Sequence, residues 1–244
     1  MITVLTCRGT GEVVGSANNM LAQFCKLLDP ARFTIGADID YAASIGPVGS
    51  SGPMGPSEQQ SVADGLPMIA AAIRATPNLV GLVGYSLGAA LVSAWLEAQA
   101  RGEYADCELA WAATVANPCR APGESIDPAP VGSGINRAHA AWPAKLPVLS
   151  AANPNDGITS CPDRSPLRAV AAGMSAFSFA TLGGWSASLA QQLIEGKWAT
   201  EDYSPAELLR AGQLIYGYLL GGQHTTEYIT GGYLQRLADH INAL

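Results

Sequence analysis

The first 152 residues alternate between short apolar runs and longer segments in which apolar residues recur every three to four positions. The apolar runs predict five β-strands, at 2–6, 33–41, 79–83, 109–115 and 148–152. The second run alternates apolar with polar or small residues, which is typical of a half-buried strand. Helical spacing predicts one helix that begins after Ser57 and another from about 87 to 101. Gln60, three residues after Ser57, is placed to form a capping box with it. This alternation favours an α/β fold with a mostly parallel sheet covered by helices on both faces.

A different pattern begins after the fifth predicted strand. From about 166 to 222 the sequence contains no strand-like run, and apolar residues share one helical face at Leu182, Trp185, Leu189 and Leu193. Ser204–Glu207 places a capping serine, a proline and a capping-box glutamate in series, and the glycines at 221–222 predict the end of that helix. We therefore predict a core of residues 1–165 and 223–244, interrupted by a helical linker or lid subdomain.

Composition limits the class of partner. Charged residues make up 14% of the chain and hydrophobic residues 48%, and 13 basic against 20 acidic side chains give a net charge of −7. Because the sequence has no cluster of lysines and arginines, it predicts no nucleic-acid partner. A chain this apolar can bury a sizeable core, which excludes a disordered protein, and its low charge indicates an apolar partner.

Two uncharged segments, 75–96 and 169–194, have the length of a membrane span. Proline and a glycine-containing turn interrupt the first, and polar residues with a glycine pair interrupt the second, so we predict no transmembrane segment. The N-terminus lacks the basic start and apolar stretch of a secretory signal, so either none is made or it has been removed.

The five cysteines include no Cys-x-x-Cys pair, which predicts neither a zinc framework nor a disulfide scaffold. Single buried thiols are the favoured interpretation, and a bridge between Cys119 and Cys161 stays open because it requires their two loops to meet. Gly9 and Gly11 begin a dinucleotide pattern, but Val14 occupies the position of its third glycine. No two histidines have metal-ligand spacing. We expect neither a metal nor a cofactor.

The segment Gly84-Tyr85-Ser86-Leu87-Gly88 matches the pattern G-x-S-x-G, between a predicted buried strand and a predicted helix. In such a corner the serine backbone is strained and its hydroxyl is held out from the sheet edge. The flanking glycines are needed because neighbouring backbone approaches closely. We predict that Ser86 is a nucleophile; the alternative is a turn that places a serine between two glycines by chance.

A nucleophilic serine needs a base, and in α/β-hydrolases the acid follows the serine along the chain and the histidine comes last. The chain has three histidines. His139 lies in a Pro/Gly-rich loop before the candidate acid and is interpreted as a surface residue, and His240 as a residue at the edge of the last helix. His224 follows two glycines in the loop after the insertion, so we predict it as the base.

The candidate acid is Asp156, just past the strand predicted at 148–152. A carboxylate at the carboxyl end of a strand is well placed to hold the histidine tautomer and to stabilise the imidazolium. Asp163 is the nearest alternative and is otherwise a loop residue that caps the next helix. Asp127 precedes the fifth strand and fits less well.

An oxyanion hole should use the backbone N–H of Leu87, the residue after the serine, and one N–H from the loop after the first strand. In that loop, residues 7–12, our candidate is Thr10. Cys7 is a poor rival nucleophile because no comparable strand–turn–helix corner surrounds it.

These motifs together resemble the cutinase-like serine esterases, and within them most closely the Lysin B enzymes of mycobacteriophages. The resemblance rests on the loop Arg8–Glu12, the serine motif, Asp156 and His224, and its layout covers essentially the whole chain. It implies an α/β-hydrolase three-layer sandwich with a helical subdomain between the acid and the histidine, which fungal cutinases lack. It also implies that Ser86 is the nucleophile, Asp156 the acid and His224 the base. Thr10 and Leu87 would form the oxyanion hole.

The activity implied by this resemblance is hydrolysis of the ester that joins mycolic acids to arabinogalactan during phage lysis. The protein would then be made in the host cytoplasm and act at the mycobacterial cell envelope. Leu87 replaces a glutamine common in cutinases, and the cysteine pair that brackets the acid in fungal cutinases is reduced to Cys161. The sequence also has no peptidoglycan-binding segment before its first strand.

The expected partner is a lipid ester, and we expect a monomer. Apolar residues of the insertion, Phe177, Phe179 and Trp185, are candidates to line a trough for a long acyl chain, although ordinary core packing accounts for them equally well. Two other functions stay open: a general cutinase or lipase acting on simpler esters, and a phage structural or wall-binding protein that uses a hydrolase fold without catalysis.

Overall fold

A five-stranded parallel sheet forms the centre of the computed structural model, which describes residues 1–46, 49, 55–128, 130–168, 171 and 203–244. Its strands are β1 (Ile2–Cys7), β2 (Phe33–Asp38), β3 (Leu79–Tyr85), β4 (Leu109–Val115) and β5 (Val148–Ala151). Their order across the sheet is β2-β1-β3-β4-β5, and every neighbouring pair is parallel. All five predicted strands are therefore present.

Helices pack on both faces of this sheet. The helices of the described residues are α1 (Met20–Cys25), α2 (Glu58–Arg74), α3 (Leu87–Ala100), α4 (Pro205–Leu219), α5 (Thr226–Thr230) and α6 (Tyr233–Asn242). One core joins α1 and α6 to the sheet around Phe24, Trp111 and Leu237. The other joins α2 and α3 to the opposite face around Ile69 and Trp95. The predicted α/β three-layer sandwich is confirmed.

Both helices begin at the predicted capping serine, but only the cap at Ser204 is a complete capping box, because the Gln60 side chain donates to Asp64 instead. The Ser57 side chain accepts a hydrogen bond from the Gln60 N–H at the start of α2, which continues through Pro67. At α4 the Ser204 hydroxyl accepts from the Glu207 N–H while the Glu207 carboxylate accepts from the Ser204 N–H. These capping bonds satisfy N–H groups that have no partner inside a helix.

The prediction of a half-buried strand over 33–41 is wrong in extent and in burial. The strand ends at Asp38, and Ile35 is 53% exposed. Residues 34–37 are all exposed, so neither face of this edge strand is fully covered. Ile39 and Tyr41 are buried, but they lie in the loop beyond the strand, where their carbonyl oxygens accept hydrogen bonds from the Arg8 guanidinium.

The loops after β4 and β5 meet, as a Cys119–Cys161 bridge would require, but all five cysteines are free thiols. Ser133 and Cys161 form an isolated antiparallel bridge between the two loops. The fully buried Arg120 donates to the carbonyl oxygens of Thr159 and Gly132, which lie in different loops. Backbone pairing and a buried guanidinium therefore join the loops that carry the two cysteines.

Part of the predicted insertion belongs to a third apolar cluster, formed by Cys161, Leu167, Ala211, Leu214 and Ile215. Residues 169–170 and 172–202 of the insertion, which include Phe177, Phe179, Trp185 and the apolar face at 182–193, lie outside the described residues. The division into a core and an inserted subdomain stays a prediction. Within the described part of the chain, no helix is long and apolar enough to cross a membrane.

Candidate active site

Ser86 occupies a sharp corner between β3 and α3. Its backbone has φ 54° and ψ −117°, and α3 begins at the next residue. A non-glycine residue rarely adopts such a positive φ, so the surrounding structure must hold it there. The Ser86 N–H donates to the carbonyl oxygen of Val115 on the neighbouring strand β4, at 3.0 Å. The strained corner is thus anchored to the sheet.

The two glycines of the motif stand where backbone segments touch. A Cβ on Gly84 would overlap the carbonyl oxygen of Gly88, and one on Gly88 would overlap the carbonyl oxygen of Cys7. A Cβ on Gly9 would lie 2.7 Å from the Tyr85 ring and 3.4 Å from the Ser86 Cβ. The loop after β1 therefore packs directly against the serine corner.

The structure brings Ser86, His224 and Asp156 together. Ser86 Oγ lies 2.9 Å from His224 Nε2, and His224 Nδ1 lies 2.9 Å from Asp156 Oδ2. Since a carboxylate can only accept, Nδ1 carries the proton and the lone pair of Nε2 faces the serine hydroxyl. Asp156 is completely buried and the imidazole nearly so. This arrangement can take a proton from Ser86 and hold the resulting imidazolium beside a carboxylate.

The rival acids lie in other surroundings. The Asp163 side chain is 83% exposed, 3.9 Å from Arg168. Asp127 is buried and accepts hydrogen bonds from the Arg236 guanidinium and the Ala152 N–H. Neither carboxylate is hydrogen-bonded to His224.

Of the rival histidines, His240 is exposed on α6, as predicted. The interpretation of His139 as a surface residue is wrong, because its side chain is only 7% exposed. The ring stacks on Trp142 and bonds to the Glu124 carboxylate and the Ala140 carbonyl oxygen. The loop that carries it folds back over these partners and covers the imidazole.

Four residues that the sequence did not single out contact or adjoin the predicted base and acid. Tyr85 donates its hydroxyl to the His224 carbonyl oxygen at 2.7 Å and stacks on the imidazole. Tyr218 of α4 packs against the same ring, with centroids 5.1 Å apart. The Asn153 side-chain amide donates to the Gln223 carbonyl oxygen at 2.8 Å, beside the histidine. Tyr228 donates to Asp156 Oδ2 at 3.0 Å.

For three of these residues, the only sequence signals were their positions. Tyr85 is the second residue of the serine motif, Asn153 begins the acid loop, and Tyr228 lies four residues after His224. Tyr228 and Asp156 are 72 positions apart. Contacts over such separations depend on the tertiary fold, so residue spacing did not predict them.

The loop that carries Thr10 is fixed by two charged side chains. Arg8 is buried and donates to the carbonyl oxygens of Glu12, Ile39 and Tyr41. The Glu12 carboxylate accepts from the N–H groups of Gly9 and Met20, each at 2.7 Å. The loop is therefore held before any substrate binds, as a preorganised site requires.

The two predicted oxyanion residues lie at the start of α3 and in the loop after β1. Leu87 is the first residue of α3, where N–H groups have no partner within the helix and the positive end of the helix dipole lies. The Thr10 hydroxyl is buried and has no hydrogen-bond partner. Both residues adjoin the Ser86 corner in the fold, through the chain and through the packed loop after β1.

Burial raises the pKa of the Cys7 thiol far above its ordinary value, with a further contribution from the Asp38 charge. A thiol that stays protonated is a weak nucleophile, which disfavours Cys7 as a rival to Ser86. Among the residues that the structure describes, no group of three or more histidine, cysteine or acidic side chains could hold a metal ion.

Comparison with known proteins gives matches at the level of structure. No family model and no curated protein sequence matches the chain. Lysin B from Mycobacteriophage D29 is similar over 100% of this chain and 99% of its own, with a TM-score of 0.57 and 17% identity. An acetylxylan esterase covers 81% of this chain and 98% of its own, with a TM-score of 0.48 and 20% identity. A cutinase-like protein from Cryptococcus sp. covers 66% and 79%, with a TM-score of 0.46 and 22% identity.

At 17% identity, the likeness to lysin B shows a shared fold. The predicted resemblance to the Lysin B enzymes is confirmed as a likeness of fold. The TM-scores of the other two structures are too low to add to the argument.

Proposed function

We propose that this chain is a serine esterase that hydrolyses lipid esters through Ser86, His224 and Asp156. The observation that carries the proposal is the pair of 2.9 Å hydrogen bonds that link serine to imidazole and imidazole to a buried carboxylate. Serine corner, acid and histidine also follow one another along the chain in the order of α/β-hydrolases.

In the first half of the proposed reaction, His224 Nε2 takes the hydroxyl proton of Ser86 as Oγ attacks the ester carbonyl carbon. Asp156 holds the Nδ1 proton and stabilises the imidazolium. The backbone N–H groups of Thr10 and Leu87 donate hydrogen bonds to the negatively charged carbonyl oxygen. Loss of one such donor lowers kcat on the order of 10²–10³-fold. When the tetrahedral intermediate collapses, the imidazolium gives its proton to the leaving alcohol and an acyl-Ser86 ester remains.

In the second half, water takes the place of the alcohol. His224 removes a proton from the water while the water oxygen attacks the acyl carbon. The N–H groups of Thr10 and Leu87 again donate hydrogen bonds to the oxyanion. Collapse of this intermediate breaks the bond to Ser86 Oγ, which takes back the proton from the imidazolium. The products are the free acid and the alcohol, and no cofactor takes part.

The proposed substrate is the ester between mycolic acids and arabinogalactan, cleaved at the mycobacterial envelope during phage lysis. It is supported by the motifs that resemble Lysin B enzymes and by the fold shared with lysin B from Mycobacteriophage D29 over both chains. The low charge content of 14% agrees with an apolar substrate. We also keep two expectations from the sequence: a core of 1–165 and 223–244 interrupted by a linker or lid subdomain at 166–222, and a monomeric protein.

Turnover of a p-nitrophenyl ester by wild type and by Ser86→Ala tests the esterase proposal. We expect Ser86→Ala to lower kcat by about 10⁴-fold or more, because the nucleophile is lost and only binding and the oxyanion hole remain. An inactive wild type, or an unchanged rate after Ser86→Ala, would overturn the proposal and favour a non-catalytic wall-binding protein.

Matched substitutions test the acid and the base. His224→Ala and Asp156→Asn are expected to lower kcat by about 10³-fold or more, whereas His240→Ala and Asp163→Asn retain nearly wild-type turnover. The controls remove the same chemical groups from exposed positions. Loss of activity in the control pair alone would show that the partners of Ser86 are wrongly assigned.

Lipid analysis tests the substrate. Wild type incubated with isolated mycobacterial cell walls is expected to release free mycolic acids, and Ser86→Ala is expected to release none. If wild type cleaves p-nitrophenyl esters but frees no mycolic acid from walls, the narrower substrate is wrong and a general cutinase-type esterase is supported instead.

A further inference from the structure

Tyr228 is a fully buried tyrosine of the short helix α5, four residues after the proposed base. Its hydroxyl oxygen lies 3.0 Å from Asp156 Oδ2, the same oxygen that accepts the hydrogen bond from His224 Nδ1. The other carboxylate oxygen accepts from the Ile158 N–H at 3.0 Å. The carboxylate is therefore held at both oxygens.

The direction of the tyrosine hydrogen bond is fixed by a second contact. The Asn153 backbone N–H donates to the Tyr228 hydroxyl oxygen at 3.1 Å. Because an N–H can only donate, the phenol accepts from Asn153 and directs its own proton at Asp156. Burial, together with the nearby Asp156 charge, raises the pKa of Tyr228 well above its ordinary value, so the phenol stays a neutral donor.

Two donors thus share Asp156 Oδ2. A hydrogen bond from a neutral phenol stabilises the carboxylate charge and draws electron density from the oxygen that faces the imidazole. The attraction between this oxygen and the imidazolium is weaker with the phenol in place than without it. The same bond also restrains rotation of the carboxylate, so Oδ2 stays directed at His224.

The surroundings of His224 make Asp156 its main electrostatic partner. Tyr85 from β3, Tyr218 from α4 and Asp156 from the loop after β5 lie against or bond to the histidine, and Tyr228 from α5 reaches it through the carboxylate. Burial raises the pKa of Tyr85 well above its ordinary value and that of Tyr218 to about 12, so these phenols stay neutral near pH 7.

We propose that Tyr228 is a positioning residue of the Ser86–His224–Asp156 system, which orients the carboxylate and sets the lower pH limit of catalysis. The inference rests on the proposed esterase function and adds a residue that acts through Asp156 without touching substrate. No bond is made or broken at the phenol.

The test compares Tyr228→Phe with Tyr233→Phe in p-nitrophenyl ester hydrolysis over a range of pH. Tyr233 packs beside Tyr228, but its hydroxyl donates to the Asn153 side-chain oxygen at 3.3 Å rather than to a carboxylate. We expect Tyr228→Phe to lower kcat about tenfold or more with KM within about twofold, because an outer hydrogen bond to a reacting system is lost while the substrate site is untouched.

The pH profile is the readout that a purely structural role would not change. Without the phenol, the carboxylate attracts the imidazolium more strongly. The fall of kcat/KM on the acid side of the pH profile (the acid limb) is therefore expected to occur about half a pH unit or more higher. Tyr233→Phe is expected to keep the wild-type limb. Thermal unfolding checks that both variants are folded; an unfolded Tyr228→Phe contradicts the proposal, which requires that the phenyl ring alone supports the fold.

A double-mutant cycle with Asp156→Ala completes the test. If Tyr228 acts through the carboxylate, Tyr228→Phe is expected to have almost no further effect on kcat in the Asp156→Ala background. The same fold-loss in both backgrounds, or a wild-type kcat and acid limb in Tyr228→Phe, overturns the proposal. Failure of the esterase function itself is distinct, since it appears as absent Ser86-dependent turnover in the wild type.

Discussion

Ser86 combines a strained backbone with a reactive position. With φ 54° and ψ −117°, it adopts a conformation that costs on the order of 1–3 kcal/mol for a residue with a side chain. The hydrogen bond to Val115 and the close backbone contacts at Gly84 and Gly88 oppose any relaxation. The strain places Oγ within hydrogen-bond distance of the imidazole.

Gly88→Ala tests how closely this corner is packed. The new methyl would overlap the Cys7 carbonyl oxygen, so we expect the free energy of unfolding to fall by about 3 kcal/mol or more. Gly212→Ala is the matched control, because a Cβ there meets open space in α4 and should add about 0.5–1 kcal/mol through helix propensity. Urea denaturation measures both. An unchanged midpoint for Gly88→Ala would show that the contact can relax.

Individual residues of the site were predictable to different degrees. Ser86, Asp156 and His224 were chosen from motif context and chain order, and the structure places them together. Tyr85 and Tyr228 were not chosen, because a tyrosine is common and its usefulness here depends on a carbonyl oxygen or a carboxylate distant in sequence. His139 was placed wrongly because a Pro/Gly-rich loop gives no indication of the glutamate and tryptophan that cover it.

The parallel strands explain why loops from distant parts of the chain form one site. The loop proposed for the oxyanion hole follows β1, Ser86 follows β3 and the proposed acid follows β5, so all three lie at the carboxyl ends of the parallel strands. A parallel sheet collects its functional loops at the carboxyl ends of its strands. The alternation of strand and helix predicted this arrangement, whereas the early end of β2 depended on Arg8 drawing the following loop inward.

His139 makes a pH-dependent contribution to the stability of the long loop between β4 and β5. Both ring nitrogens face acceptors, the Glu124 carboxylate and the Ala140 carbonyl oxygen, which requires a doubly protonated ring. Burial acts to lower its pKa, but these hydrogen bonds and the charges of Glu124 and Glu97 raise it above its ordinary value of 6.5. The protonated imidazole therefore stabilises the fold fully below the ordinary pKa of 6.5, and this stabilisation is lost as pH rises through the raised pKa.

His139→Phe tests this loop, because it keeps a ring to stack on Trp142 but removes both donors. Wild type is expected to exceed the variant in unfolding free energy by about 1.5–3 kcal/mol in mildly acidic solution, the usual worth of hydrogen bonds to charged groups. The difference should shrink at alkaline pH. Urea denaturation as a function of pH measures it, with His240→Phe as the exposed control. A difference that does not change with pH would contradict the assigned imidazolium.

As a whole, the molecule is a sheet with one apolar core on each face. The 48% hydrophobic content is consistent with two such cores, and the apolar segment at 75–96 supplies β3 and α3 rather than a membrane span. The fold was predictable because local periodicity and chain order agree. The substrate of the proposed esterase was not predictable from composition, which names no particular ester, and the apolar segment at 169–194 lies mostly outside the described residues.

Covalent labelling with an alkyl p-nitrophenyl phosphonate tests directly whether Ser86 is an activated nucleophile. Attack by Oγ on phosphorus should release one p-nitrophenolate per chain, and peptide mass spectrometry should place the phosphonate on Ser86. Asp156→Asn and His224→Ala should react at least about a hundredfold more slowly, since the base is lost or wrongly protonated. A wild-type chain that is not labelled, or one labelled at another residue, would contradict the assigned nucleophile.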